Sequence, residues 1–268
     1  MSKGYYNETW SSWDVESFTS LLKVPDMAEV IIGFYDTKLK KVYSQILSDN
    51  VLSLEDRSLD GQYYNMHVKI DDESIAFEHA ADKDMFCLRI TPENYCERYK
   101  LLVSGALRWN AKGSVSYDGE YIEIKTDKFI YKIDVIGEIY DREAVNIYHS
   151  GFILSLNSVL YIRCNNKMSK INIDEFINSK RKSCLNELRK SGGFAADLSK
   201  AIQRVMLWNT IYEPTNDRFV TPVTRQWCTM KVMEHFGCYV LFCWDTFFGA
   251  LLCGIFSKEL AIRQIESI

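Results

Sequence analysis

The chain has 268 residues, which is enough for one or two domains. Hydrophobic residues make up 47% of it and charged residues 25%, a balance typical of globular rather than disordered proteins. The formal net charge is −4 and the longest basic run is Lys180-Arg181-Lys182, which argues against the dense positive surface that binds nucleic acid. We therefore expect no nucleic-acid partner.

The N-terminal ten residues lack the apolar core of a secretory signal, so we expect a cytoplasmic protein. In a reducing compartment its eight cysteines are expected to be free thiols, and no CxxC pair occurs among them. Cys228, His235, Cys238 and Cys243 lie close in sequence, but their spacing matches no zinc site and their neighbours are apolar. We interpret them as core residues and expect neither a metal ion nor a cofactor.

The first 165 residues or so carry the period of β-strands. Apolar and polar residues alternate over 64–70 and over 129–135, and further strands are predicted over 29–35, 85–90, 100–107 and 152–163. Asp118-Gly119 lies between two short alternating segments, which is the strongest short-range signal for a β-hairpin. Many short strands without intervening helices predict an antiparallel β-sandwich domain over residues 1–170.

Beyond residue 170 the period becomes helical. One helix is predicted up to the break at Gly192-Gly193, and a second runs to Trp208 and ends at Glu213-Pro214. A third is predicted over 246–256 with Asp245 as its N-cap, and a fourth over 258–268. The apolar face of the second helix is predicted to contain Phe194, Leu198, Ala201, Ile202, Val205 and Trp208.

A membrane-spanning segment is the alternative interpretation of residues 238–256. This stretch is nineteen residues long and contains one charge, Asp245. A central Asp costs about 2.5–3.5 kcal/mol on membrane insertion, and the flanking residues carry no positive bias. We therefore favour a buried helix and expect no membrane partner.

Three segments near the C-terminus carry a resemblance to a known family. They are Trp208-Asn-Thr-Ile-Tyr-Glu-Pro214, Thr221-Pro-Val-Thr-Arg-Gln-Trp227 and Phe242-Cys-Trp-Asp-Thr-Phe-Phe248. They resemble the start of the catalytic domain in the glycoside hydrolase family 63 group, which includes processing α-glucosidases and mannosylglycerate-hydrolase-like enzymes. Glu8-Thr-Trp-Ser-Ser-Trp-Asp-Val-Glu-Ser17 and Gly33-Phe-Tyr-Asp36 are similar, more loosely, to the sandwich domain of bacterial members.

The resemblance implies a β-sandwich N-terminal domain followed by an incomplete (α/α) six-hairpin toroid, mixed β then α, with the linker helix and first toroid helices in residues 171–268. It implies the N-terminal part of an inverting glycoside hydrolase that acts on α-linked glucosyl or mannosyl oligosaccharides. Such an enzyme needs a carboxylic acid and a carboxylate base roughly 6.5–9.5 Å apart. The family's Glu-Ser-Gly-x-Asp-Asn-Ser acid segment does not occur in this sequence, and the base lies farther on still, so we expect no catalytic residues here and no activity from this chain alone.

The resemblance assigns substrate-binding roles to five residues. Asp245 would accept hydrogen bonds from sugar hydroxyls, Trp244 and Phe248 would line the pocket, and Arg225 and Trp227 would shape its rim. Each has a structural alternative. Asp245 would only cap a helix, Arg225 would only form a surface ion pair, and the three aromatic residues would only pack in a core.

Two further functions remain open. The chain would be a non-catalytic carbohydrate-binding remnant, or a subunit that a second chain completes. The expected partners are therefore an oligosaccharide or small glycoside, together with self-association or a complementing chain through an exposed helical face.

Overall fold

A computed structural model of the chain describes residues 10–11, 17–23, 26–108, 111–140, 151–187, 196–213, 218–222 and 241–268. In chain order the strands within these residues are β1 (Trp10–Ser11), β2 (Leu21–Lys23), β3 (Ala28–Asp36), β4 (Lys41–Tyr43), β5 (Val51–Arg57), β6 (Tyr63–Ile70), β7 (Glu73–Asp82), β8 (Met85–Pro92), β9 (Cys96–Leu107), β10 (Gly113–Tyr117), β11 (Ile122–Thr126), β12 (Ile130–Ile136), β13 (Gly151–Leu156), β14 (Leu160–Cys164), β15 (Ile211–Glu213) and β16 (Arg218–Val220). The helices are α1 (Lys170–Glu187), α2 (Ala196–Asn209), α3 (Cys243–Cys253) and α4 (Lys258–Ile265), and a 3-10 turn spans Ser48–Asn50.

The strands form two large antiparallel sheets and one small ribbon. The six-stranded sheet has the order β1-β2-β3-β9-β13, with β4 also paired to β3. The eight-stranded sheet has the order β10-β11-β12-β14-β8-β7-β6-β5, and β15 pairs with β16. These pairings are antiparallel, and successive side chains along each strand point to opposite faces of its sheet.

The main hydrophobic core draws side chains from both large sheets. Val30 and Ile32 of β3 and Leu101 and Val103 of β9 enter it from the six-stranded sheet, and alternate residues of β6, β7, β8, β12 and β14 enter it from the eight-stranded sheet. Trp10 lies edge-on against Phe86 and Tyr131, with ring centroids 5.1 Å apart in both contacts. The alternating sequence pattern therefore identified the buried face of β6, whereas β3 and β13 are buried on both faces.

The hairpin predicted at Asp118-Gly119 is confirmed. β10 and β11 pair in register from Tyr117 opposite Ile122, and Gly119 has a φ of +94°. The carboxylate of Asp118 accepts hydrogen bonds from the backbone N–H groups of Glu120 and Tyr121, at 2.9 and 3.0 Å. The side chain thus stabilises the turn that its sequence position predicts.

The single strand predicted over 152–163 is wrong. The segment forms two strands that belong to different sheets, because β13 pairs with β9 whereas β14 pairs with β8 and β12. The polar residues Asn157 and Ser158 interrupt the run where the chain crosses between sheets, but no Gly or Pro marks the point.

The predicted β-sandwich followed by an incomplete (α/α) six-hairpin toroid is also wrong. The structure is mostly β, with two antiparallel sheets and four short helices. Helix α1 packs through Ile173 and Ile177 on the eight-stranded sheet, against Tyr63, Ala80 and Tyr161. Helices α2, α3 and α4 share a small core with Leu22 of β2 and with the β15–β16 ribbon. Helical periodicity predicted the helices. It did not reveal that α1 packs on a sheet, or that α2, α3 and α4 pack on strands as well as on one another.

Helix α2 is rotated relative to its predicted face. Leu198 and Val205 are exposed, whereas Gln203, Met206 and Leu207 are buried together with Trp208. Gln203 tolerates burial because its amide donates to the carbonyl of Ser199 within the same helix, at 3.2 Å. The domain boundary near residue 170 stays a prediction.

The cysteines at positions 87, 96, 164, 184 and 253 are free and buried, as expected. Cys243 is exposed at the start of α3, so its prediction as a core residue is wrong. Cys228, His235 and Cys238 lie outside the described residues. None of the helices in the described ranges is both long and apolar enough to cross a membrane.

Candidate functional site

The residues predicted to contact sugar fall into two groups. Trp244, Asp245 and Phe248 all lie on helix α3 and are exposed. Arg225 and Trp227 lie outside the described residues. The candidate site is therefore built on the outward face of α3.

This helix presents its largest apolar side chains to solvent. Trp244 is 72% exposed, Phe248 54% and Leu251 69%, and Phe247 and Leu252 are exposed as well. These positions follow the i, i+3, i+4, i+7 spacing that normally marks the buried stripe of an amphipathic helix. We call these five residues the α3 stripe.

The opposite side of α3 is buried and small. It consists of Thr246, Gly249, Ala250 and Cys253. A Cβ atom at Gly249 would lie 3.2 Å from the Gln264 side-chain oxygen and 3.4 Å from Met206 Cε. The absent side chain thus lets α3 approach α2 and α4 closely. Small residues face inward because the neighbouring helices are close, and the large apolar residues have only the outer side left.

The two predicted aromatic residues touch each other. The rings of Trp244 and Phe248 have centroids 5.4 Å apart and planes at 75°. This edge-to-face arrangement is the favourable geometry for aromatic pairs. The contact fixes the two side chains relative to each other and leaves most of both rings accessible. The alternative in which they only pack in a core therefore does not apply to Trp244 and Phe248.

Asp245 is not the N-cap of the helix, as the sequence predicted. Helix α3 begins at Cys243, two residues before Asp245. Its N-cap is Phe242, whose side chain makes no capping hydrogen bond. Asp245 lies in the first turn, where a carboxylate interacts favourably with the positive end of the helix dipole. It lies about 100° around the helix from Trp244, at the edge of the α3 stripe. An exposed carboxylate beside an aromatic ring can accept hydrogen bonds from a ligand.

Neither a protein-family model nor a curated protein matches this chain. The geometry of α3 and its neighbours is therefore the basis for assigning a function. A search of the described residues finds no group of His, Cys, Asp or Glu side chains that could hold a metal ion.

Sequence reasoning missed Phe247, Leu251 and Leu252 as surface residues. Residues 243–253 are apolar nearly all round, which predicts a helix buried on every side. The run of small residues at 246, 249, 250 and 253 was the available signal, because small residues at helical spacing allow close packing on that side alone. Helix α2 differs, because it buries Met206, Leu207 and Trp208 although its Leu198 and Val205 are exposed.

Proposed function

We propose that this chain is the non-catalytic part of a hydrolase acting on α-linked glucosyl or mannosyl oligosaccharides, and that a second chain completes it. The second chain would cover the apolar end of the α3 stripe. The single observation that carries the proposal is the outward orientation of the α3 stripe.

The first turn of α3 suits a sugar. Sugar rings have apolar faces that stack on aromatic side chains, and Trp244 presents such a surface. Asp245 lies in the same turn and is available to accept hydrogen bonds from hydroxyl groups. Together they provide one stacking surface and one acceptor, which supports weak binding of a single sugar ring.

The last turn of α3 suits a protein. Leu251 and Leu252 offer no hydrogen bond to a sugar, and exposed apolar surface of this kind marks protein interaction sites. Leu198 and Val205 of the adjacent helix α2 add further exposed apolar side chains. A second chain that covered these residues would gain about 25 cal/mol of favourable free energy for each Å² of apolar surface that it buried.

The docking half of the proposal is tested by placing a charge on the α3 stripe. Without that second chain the exposed stripe should make the purified protein self-associate, and Leu251→Glu should reduce this self-association, because a buried unpaired carboxylate opposes the contact. The measurement is light scattering coupled to size-exclusion chromatography over a range of concentrations. Leu52→Glu is the matched control, since Leu52 is an exposed leucine on β5. A wild-type chain that stays monomeric at high concentration and binds no apolar dye contradicts this half.

The sugar half of the proposal is tested by isothermal titration calorimetry with α-linked glucose and mannose oligosaccharides. Trp244→Ala and Asp245→Ala should each weaken binding. Asp245→Asn separates charge from hydrogen bonding, because the amide retains an acceptor oxygen but loses the charge. Binding that is unaffected by all three changes contradicts the site. We also expect no turnover, because the family's acid segment does not occur in this sequence and general acid–base groups each raise the reaction rate by about 10²–10⁴-fold. Catalytic hydrolysis by the purified chain would overturn the non-catalytic assignment.

A further inference from the structure

A pocket that is separate from the α3 stripe lies on the eight-stranded sheet. It has a volume of about 450 Å³, within the range of about 300–1,000 Å³ that is usual for small-molecule sites. Tyr121 precedes β11, Lys132 and Asp134 lie on β12, and the rest of the wall is the connection between β14 and α1. The lining residues are Tyr121, Lys132, Asp134, Asn165, Asn166 and Lys167.

Asp134, the one carboxylate among the described residues that line this pocket, is already neutralised. Arg163 binds Asp134 through two guanidinium nitrogens, one of which lies 2.9 Å from the second carboxylate oxygen. The ammonium of Lys167 donates to that same oxygen at 3.0 Å. Asp134 is therefore surrounded by two cations, and its remaining capacity to accept hydrogen bonds from a ligand is small.

The two asparagines form a fixed wall. The amide of Asn166 donates to the carbonyl oxygens of Phe86 and Cys164, at 3.1 and 2.8 Å, and accepts from the backbone N–H of Met168 at 3.2 Å. Asn165 accepts from the backbone N–H of Lys132 at 2.9 Å. These bonds connect β12 to the β14–α1 connection and hold the two asparagine side chains in place.

The lysines retain hydrogen-bond donors that the pocket itself does not use. The ammonium of Lys132 lies 4.6 Å from the centre of the Tyr121 ring and forms a partly exposed ion pair with Glu123 of β11, at 3.6 Å, which is longer than a hydrogen bond. Lys167 makes its contact with Asp134 through one of three N–H groups. The spare polar capacity of the pocket therefore consists mainly of positively charged donors, whereas its acceptors are occupied.

We propose that this pocket binds a small organic anion, a molecule of monosaccharide size that carries a phosphate or carboxylate group. The anionic group would lie between the ammonium groups of Lys132 and Lys167, and the body of the molecule would contact Tyr121. This site is separate from the α3 stripe and does not depend on the function proposed there.

The test is calorimetric titration of the full chain with glucose 6-phosphate, glucuronate, glucose and inorganic phosphate. The two sugar anions distinguish a phosphate-binding from a carboxylate-binding pocket. Lys132→Met and Lys167→Met should each weaken binding of the preferred anion by about tenfold, because each removes a charged hydrogen bond. Lys125→Met is the matched control, since Lys125 is exposed on β11 and does not line the pocket. Lys167→Arg should keep the binding that Lys167→Met loses, because it keeps the positive charge. Raising the salt concentration should weaken binding.

Three results would overturn the proposal. The first is that neither sugar anion binds in the millimolar range. The second is that neutral glucose, or inorganic phosphate alone, binds as tightly as the sugar anions. The third is that the two lysine variants bind like the Lys125→Met control. Thermal unfolding of each variant separates lost binding from lost folding, and 83% of the Lys167 side chain is exposed, so its replacement is expected to leave the fold intact.

Discussion

His79 is a histidine buried completely inside the main core. Its ring stacks on that of Tyr64, with centroids 4.6 Å apart, and lies beside Phe86. Among the described residues neither ring nitrogen has a hydrogen-bond partner. Burial is the main cause that lowers the pKa of His79 to about 3, and the positive charge of Arg57 lowers it further. The ring is therefore neutral in the folded protein at neutral pH.

This histidine makes the fold sensitive to acid. Below the unfolded-state pKa of 6.5 the unfolded chain binds a proton that the folded chain does not, so stability falls as the pH is lowered from 6.5 towards 3. His79→Phe should remove this part of the pH dependence and leave the protein at least as stable at neutral pH, because an unpartnered polar group is lost. Denaturant unfolding at a series of pH values is the measurement.

The control for this prediction is His67→Gln, at an exposed position on the neighbouring strand β6. It should leave the pH dependence as it is in the wild-type chain. If His79→Phe unfolds with the same pH dependence as wild type, the acid sensitivity arises from other groups and the interpretation of His79 is wrong.

At the scale of the element, helix α3 depends on Gly249 for its position. Gly249→Leu would push a side chain towards Met206 and Gln264, so α3 would move away from α2 and α4. Overpacking of this kind costs about 1–3 kcal/mol, even though leucine has the better helix propensity. Chemical denaturation of Gly249→Leu should therefore show a loss of stability. Phe247→Leu, on the exposed side of the same helix, should change stability little. Equal stability of the two variants would contradict the close packing.

The elements differ in how far sequence predicts them. The β10–β11 hairpin was predictable because Asp118-Gly119 determines its turn locally. The buried face of α2 was not, because Gln203 is satisfied within its own helix and can replace an apolar residue there. For the candidate site, sequence grouped Trp244, Asp245 and Phe248, but it began the helix after Asp245 and favoured its burial. It did not predict the pocket beside Lys132 and Lys167, whose residues come from separate strands without a motif.

At the scale of the whole molecule, Trp208 connects the helical segment to the sheets. It is buried in the main core, and its indole N–H donates to the carbonyl of Glu55 on β5 at 2.8 Å. The guanidinium of Arg57 lies 5.0 Å from the centre of its ring, and the Tyr64 ring lies 5.4 Å away. Arg204, one turn earlier on α2, binds Asp56 of the same strand. Helix α2 is thus held to β5 by apolar, polar and charged contacts.

Trp208→Ala should therefore destabilise the whole protein. Removing a buried tryptophan costs about 3–5 kcal/mol, and here the Glu55 carbonyl also loses its donor. The measurement is thermal or denaturant unfolding, with Val205→Ala on the exposed side of α2 as the control. A loss confined to the helical segment, with the sheets unfolding as in wild type, would show that the two parts are independent.

The order of the strands also has a consequence for protein synthesis. Strands β5, β6 and β7 each pair with the next strand along the chain, whereas Ile32 of β3 lies opposite Val103 of β9. Pairing between distant segments is slow, because the chain between them must first be closed into a loop. As the chain leaves the ribosome, β3 therefore emerges long before its partner, and β13 follows later still. During that interval β3 can pair with its sequence neighbours β2 and β4, but the edge of Ala28–Asp36 that will meet β9 is open, and we expect chaperone protection of the nascent chain to matter most there.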